Sequence, residues 1–201
     1  MYHVISGEVL SGDLSNEIVK AVNGDNLRVG VRKAGVIFNK IANVTTADVM
    51  ASNGVVHVID SVLLPPKDLV GTLMSQPRFS TLVAAVKAAG LVSTLQDMSK
   101  EYTIFAPTNT AFAALGQSTI NSLLKDPATL KSILLYHAVP GSVLKSDLRN
   151  RGRVKTVQGS DVHYSNHGET LRINKSKVTR ANIIAANGVV HVINKVLTIR
   201  K

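Results

Sequence analysis

The phrase NGVVHVI occurs at Asn53–Ile59 and returns unchanged at Asn187–Ile193. The opening stretch YHVISGEVLSGDL, Tyr2–Leu14, returns as YHAVPGSVLKSDL at Tyr136–Leu148. Both pairs are 134 positions apart. Two separate landmarks sharing one offset make Met1–Pro66 and Leu135–Arg200 copies of one unit, so any fold proposed for one must also suit the other.

The second copy is preceded by a segment, Lys67–Leu134, that the first copy lacks, and its pattern is helical. DLVGTLMSQ is followed by RFSTLVAAVKAAG, which ends at Gly90 as a C-terminal cap, and then by LVSTL. EYTIFAPTNTAFAAL reads as a short strand that turns at Pro107 into a helix. There Thr108 or Asn109 can accept hydrogen bonds from the first helical amides, and Ala111 and Phe112 fall on the buried side. DPATLKSILLYH places Asp126 at the N-cap and Pro127 at the first helical position. After Tyr136 the chain changes to short strands separated by turn residues.

A full unit is therefore α+β: a helix-rich half, Lys67–Leu134, packed on a strand-rich half, Leu135–Arg200. On this reading Lys67–Lys201 is a complete domain and Met1–Pro66 is the strand-rich half of another. LLPPKD, Leu63–Asp68, is the linker, since consecutive prolines stop helices and interior strands alike. The chain is expected to be a piece of a longer tandem protein. Strands built to shield one face beneath helices are expected to leave that face uncovered in Met1–Pro66.

Charge separates the two parts. Met1–Pro66 carries five Lys/Arg against six Asp/Glu, whereas Lys67–Lys201 carries eighteen against seven. Lys145, Arg149, Arg151, Arg153 and Lys155 follow the second Tyr-His phrase, and Lys175, Lys177 and Arg180 come from a neighbouring strand and loop. If the hairpins gather these residues, they form an anion-binding cluster for sulfated or uronic-acid polymers, with arginine forks gripping the acidic groups. Nucleic acid is a poorer match, because Tyr136 and Tyr164 are the only tyrosines near the basic run and stacking aromatics are scarce.

Catalytic signatures are missing. The sequence has no cysteine, which removes disulfides, thiolate metal sites and thiol nucleophiles. His3, His57, His137 and His191 sit in the repeated apolar phrases and read as core hydrogen-bonding groups. No GxSxG, HExxH, phosphate-loop or dinucleotide glycine motif is present. His163 and His167 have metal-compatible spacing without a third ligand, so no metal and no cofactor is expected. No apolar run approaches the ~18 residues of a membrane-spanning helix. The sequons at Asn43 and Asn174 occur at chance frequency and carry no weight.

Three phrases, TIFAPTNTAF at Thr103–Phe112, YHAVPG at Tyr136–Gly141 and NGVVHVINKVL at Asn187–Leu197, resemble in order and spacing the boxes of the fasciclin-like (FAS1) family. The resemblance spans Lys67–Arg200, and Met1–Leu64 resembles the family's C-terminal half. It implies the FAS1 fold. It also implies a non-enzymatic extracellular or cell-surface adhesion module that attaches to a cell-surface receptor or to a matrix or wall polymer, beside neighbouring units of the same kind. For integrin-type contact it singles out Tyr136 and His137, with Tyr2 and His3 in the first copy. It also singles out an Asp-Ile-type motif that falls by position on Asp48-Val49-Met50 and on Asn182-Ile183-Ile184. Asn182 departs from that pattern, since an amide cannot supply a carboxylate. From the residues alone, Tyr136 and His137 read more readily as a buried junction between helix and strand.

Overall fold

The structure is a computed structural model that describes residues 1–168 and 170–199, and only the backbone of residue 117. Arg200 and Lys201, counted above in the basic balance, lie outside the described residues. The chain divides into two compact units, Met1–Pro66 and Lys67–Lys201.

The first unit is a sheet of five antiparallel strands in the order β1 to β5. These are β1 (Ile18–Lys20), β2 (Asn26–Arg32), β3 (Gly35–Phe38), β4 (Ala42–Ala51) and β5 (Gly54–Ile59). Tyr2, Leu27, Val29, Val36, Phe38 and Leu63 form a small hydrophobic centre on one side of it.

The second unit begins with α1 (Leu69–Met74), α2 (Ser80–Ala88) and α3 (Val92–Gln96). Then come β6 (Tyr102–Pro107), α4 (Asn109–Ala113), α5 (Gln117–Lys125), α6 (Pro127–Tyr136) and β7 (Ala138–Pro140). The strand-rich stretch supplies β8 (Arg151–Lys155), β9 (Asp161–His167), β10 (Thr170–Ile173), β11 (Ser176–Ala185) and β12 (Gly188–Ile193). One seven-stranded sheet runs in the order β7-β6-β12-β11-β10-β9-β8. Strands β8 to β12 repeat the connectivity and pairing of β1 to β5.

The caps follow the residues. Asp126 accepts from the Thr129 amide at 3.1 Å with Pro127 behind it, and Thr108 accepts from the Ala111 amide at 3.3 Å. Asn109, the alternative cap, reaches elsewhere and accepts from the Thr81 amide at 3.1 Å, tying α4 to the start of α2. Gly90 adopts φ +66°, which lets the Leu91 amide fold back to the Val86 carbonyl and close α2. The linker proves shorter than LLPPKD suggests. Leu63 is buried in the first unit's centre, while Asp68 caps α1 by accepting from the Gly71 amide.

The two halves of the second unit are not separate layers. Strand β6, from the helix-rich stretch, lies inside the sheet and pairs with β12 in parallel, Gly188 opposite Tyr102 through Ile193 opposite Pro107. Helices cover one face of β12, where Val190 and Val192 join Leu69, Leu73, Leu82 and Leu134. Ile193 joins Phe105, Leu148 and Val162 on the other face.

Identical sequence therefore meets two environments. Val190 and Val192 are 0% and 1% exposed, while Val56 and Val58, at the same places in β5, are 52% and 45% exposed. Asn187 shows the same contrast. Its buried side chain accepts from the Leu69 amide at 2.9 Å and donates to the carbonyls of Leu95 and Asp97, fastening α1 and α3 to the turn before β12. Asn53 is exposed. Replacing Asn187 by Ala strands the Leu69 amide and two carbonyls, so N187A should destabilise the second unit by about 2–3 kcal/mol. N53A should change stability by less than about 0.5 kcal/mol. Urea unfolding of the two variants checks this, and equal losses would contradict it.

Candidate functional site

The two Tyr-His phrases build matching junctions. Tyr136 donates its hydroxyl to the Asp161 carbonyl at 3.0 Å and accepts from the Asn174 amide group at 3.0 Å. Tyr2 donates to the Asn26 carbonyl at 2.9 Å and accepts from Asn39 at 2.7 Å. His137 is bonded through Nδ1 to the Ile133 carbonyl at 2.8 Å and accepts at Nε2 from the Leu197 amide at 2.8 Å. His3 accepts from the Leu63 amide at 3.2 Å. Tyr136, His137 and Tyr2 are buried, whereas His3 is exposed.

The Asp-Ile-type positions fall on matching bulges, where β4 and β11 both slip register. Asp48 and Asn182 adopt φ +57° and +59°, a region that Asp and Asn tolerate better than most residues. Each side chain turns back onto a loop. Asp48 accepts from the amide of Ser11 at 2.7 Å and from its hydroxyl, and Asn182 accepts from the Lys145 amide at 2.8 Å. Both Ser11 groups hold the Asp48 carboxyl below the usual carboxylate range. Val49 and Met50 are exposed, and Ile183 and Ile184 are half-buried.

His191 braces the same loop. It accepts at Nδ1 from the Asn182 amide at 3.3 Å, which makes Nε2 the protonated nitrogen bonded to the Val143 carbonyl at 2.9 Å. His57 repeats this between the Asp48 amide and the Val9 carbonyl.

The basic residues divide into three groups. Arg151, Arg153 and Lys155 alternate with Gly152 and Val154, so they share the solvent face of the edge strand β8. The pairing carries that face across the sheet: Arg151 lies opposite Ser165, Ser165 opposite Arg172, and Arg172 opposite Lys177. At a strand spacing of about 4.8 Å, this row spans four strands over roughly 14 Å. Arg153 lies opposite His163, and Lys155 opposite Asp161. Lys175 lies in the β10–β11 turn beside Asn174, whose main chain and side chain both bond the His163 backbone. A groove of about 560 Å³ runs between Arg151, Arg153, His163, Tyr164, Ser165 and Asn174. A Cβ at Gly152 would come within 2.6–2.8 Å of the Tyr164 ring, so a larger residue there would have to displace that ring. Asp161 approaches Arg153 at 3.8 Å.

Lys145 and Arg149 belong to the loop entering β8, where the Lys145 backbone is held by Asn182 and Asn166. Arg180 departs from the expected cluster. It pairs with Val192 beyond a bulge and lies near Arg78, whose pKa is lowered by burial first and by the Arg180 charge second. Arg172 was the residue missed. The signal lies in LRI, where buried Leu171 and Ile173 flank an outward arginine. Among the described residues, no three His, Asp or Glu side chains come together as a metal site would require.

The sequence model of the Fasciclin domain matches residues 1–65 and 77–199. The chain belongs to the fasciclin-domain family. It is 34% identical over 197 residues to the transforming growth factor-beta-induced protein ig-h3 of Sus scrofa, covering 97% of this chain and 29% of that protein. It is 30% identical to human periostin, covering 97% of this chain and 24% of that protein. It thus spans 29% and 24% of the length of these two relatives. The FAS1 domain pair of the insect cell adhesion molecule fasciclin I shares the fold, with a TM-score of 0.58 and 24% identity over 97% of this chain and 77% of that one.

In this fasciclin chain two buried histidines tie the stability of the second unit to pH. Burial drives His137 and His191 from the ordinary 6.5 down to about 4, with carbonyl hydrogen bonds opposing it. Protonation would also destroy the acceptor that each ring offers to a backbone amide. Because the folded pKa is the lower one, the unfolded chain binds more protons between pH 6.5 and 4. The stabilisation is complete above about pH 6.5 and falls through that window, by roughly 3 kcal/mol per histidine. The thermal midpoint of the second unit should drop steadily from pH 7 to pH 4. The H163Q/H167Q variant, altered only at exposed rings, should show the same drop. A flat profile would contradict the lowered pKa of the two buried rings.

Proposed function

We propose that the chain is a non-enzymatic attachment module working outside the cell, and that its second unit grips an acidic polymer on the outer face of β8–β11. The observation that carries this reading is the row Arg151–Ser165–Arg172–Lys177, flanked by Arg153, Lys155 and Lys175 on the same hairpins. A row of fixed cations crossing the strands suits a linear polyanion better than a point ligand. The fork geometry of arginine suits sulfate and carboxylate groups. Membership in the fasciclin-domain family supports an attachment role, and fold likeness to a cell adhesion molecule agrees with it. The Tyr-His junctions, with Asp48 and Asn182, serve this role indirectly by fixing loops at the sheet's ends. Exposed cation contacts are individually weak, so useful attachment would come from several units acting together.

The test is retention on heparin and polygalacturonate columns. R151A/R153A/R172A should bind about tenfold more weakly, as expected from three exposed charge contacts of about 0.5 kcal/mol each. R180A should elute with the unaltered chain. Retention that survives the triple change, or that falls equally with R180A, would refute the assignment of this face.

A further inference from the structure

A small polar side chain, Ser165, sits in the middle of the basic row. Strand register sets it directly opposite Arg151 of β8 and Arg172 of β10, all three on the solvent face. Opposed side chains have Cβ atoms about 5 Å apart, so both arginines are long enough to reach over the serine. His163 and His167 lie two residues away along β9 and share that face. Ser165 is half-buried on the wall of the groove, and its hydroxyl has no hydrogen-bond partner among the described residues.

The cations around it are unequally compensated. Asp161 approaches Arg153 at 3.8 Å. Among the described residues no carboxylate comes within ion-pair distance of Arg151 or Arg172. Arg151 donates through Nε to His167 Nε2 at 3.4 Å, which leaves the two terminal nitrogens of its fork for another acceptor.

The fold does not require this arrangement. Asn39 and Asn174 each follow the third strand of their copy and donate to the tyrosine hydroxyl. Two residues before them stand Ile37, opposite Gly30, and Arg172, opposite Ser165. The first copy therefore forms the same strand pair with neither a hydroxyl nor a cation at these places.

We propose that Arg151, Ser165 and Arg172 form a seat for one sulfate group of a sulfated glycan. This deepens, and rests on, the reading of β8–β11 as the attachment face. A sulfate ester offers three terminal oxygens, which suit two arginine forks and one hydroxyl donor. A carboxylate has two, and the arginines alone satisfy them. Lys177, opposite Arg172, and Arg153 meet neighbouring acidic groups of the same polymer. The arginines supply attraction to any acid, and the hydroxyl selects sulfate.

The test titrates the full chain in a calorimeter with a heparin oligosaccharide and with an oligogalacturonate of equal charge. Ser165→Ala should bind the heparin oligosaccharide about fivefold more weakly, as for one lost hydrogen bond, and the oligogalacturonate unchanged. Ser165→Thr keeps the hydroxyl and should keep the affinity. Circular dichroism and the thermal midpoint of both variants should match the unaltered chain. Unchanged heparin affinity in Ser165→Ala, an equal loss toward both polymers, or a loss shared by Ser165→Thr would overturn the seat. A Ser165-dependent affinity for polyphosphate that exceeds the one for heparin would overturn the choice of sulfate. If R151A/R153A/R172A keeps its heparin affinity, the attachment face itself fails. An unaffected Ser165→Ala beside a weakened triple variant strikes the seat alone.

Discussion

The structure depends on the parallel pairing of β6 with β12. That contact does three things at once. It satisfies the edge of the strand that carries NGVVHVI, delivers Phe105 onto His191, and starts the run of helices that returns over Val190 and Val192. A parallel pair cannot close through a tight turn, so the connection must be long. Here the long connection holds helices α4 to α6 and strands β7 to β11, and it supplies much of the hydrophobic core on both sides of the sheet. The first unit shows what remains of the same sheet without that contact: a small centre around Tyr2 and Phe38, an unpaired edge and bare valines.

A second constraint is polar and local. Each bulge turns Asp48 or Asn182 into a left-handed conformation, and the side chain anchors the loop that follows the Tyr-His phrase. His57 and His191 bond that loop from the neighbouring strand. The residues that family resemblance singles out for adhesion are therefore largely engaged in holding the fold. The solvent side of β8–β11 is different. Its inner face is fixed by Val162, Leu171 and Ile173, which frees the alternate positions to carry charge. Period-two alternation turns a basic stretch of sequence into a basic plane.

Much of this was legible beforehand. The offset of 134 gave two copies, and the local residue patterns gave the caps at Asp126 and Gly90, while the cap after Pro107 stayed open between Thr108 and Asn109. Three things were not legible. Asn187 looks like a turn residue, and its role in pinning α1 and α3 depends on helices far away in sequence. Arg172 is an isolated arginine until strand register places it between Arg151 and Lys177. Arg180 belongs to the same basic run as Lys175 and Lys177, but a bulge sends it toward Arg78 instead.

The sequence by itself determined the repeat, the family and the alternation of each strand, because these are local or are printed twice in the chain. Tertiary structure alone decided which copy of NGVVHVI is buried and which is bare. The reason is that burial belongs to the pair in contact: Val56 and Val190 are the same residue in the same phrase, and only the presence of β6 and its helices distinguishes them.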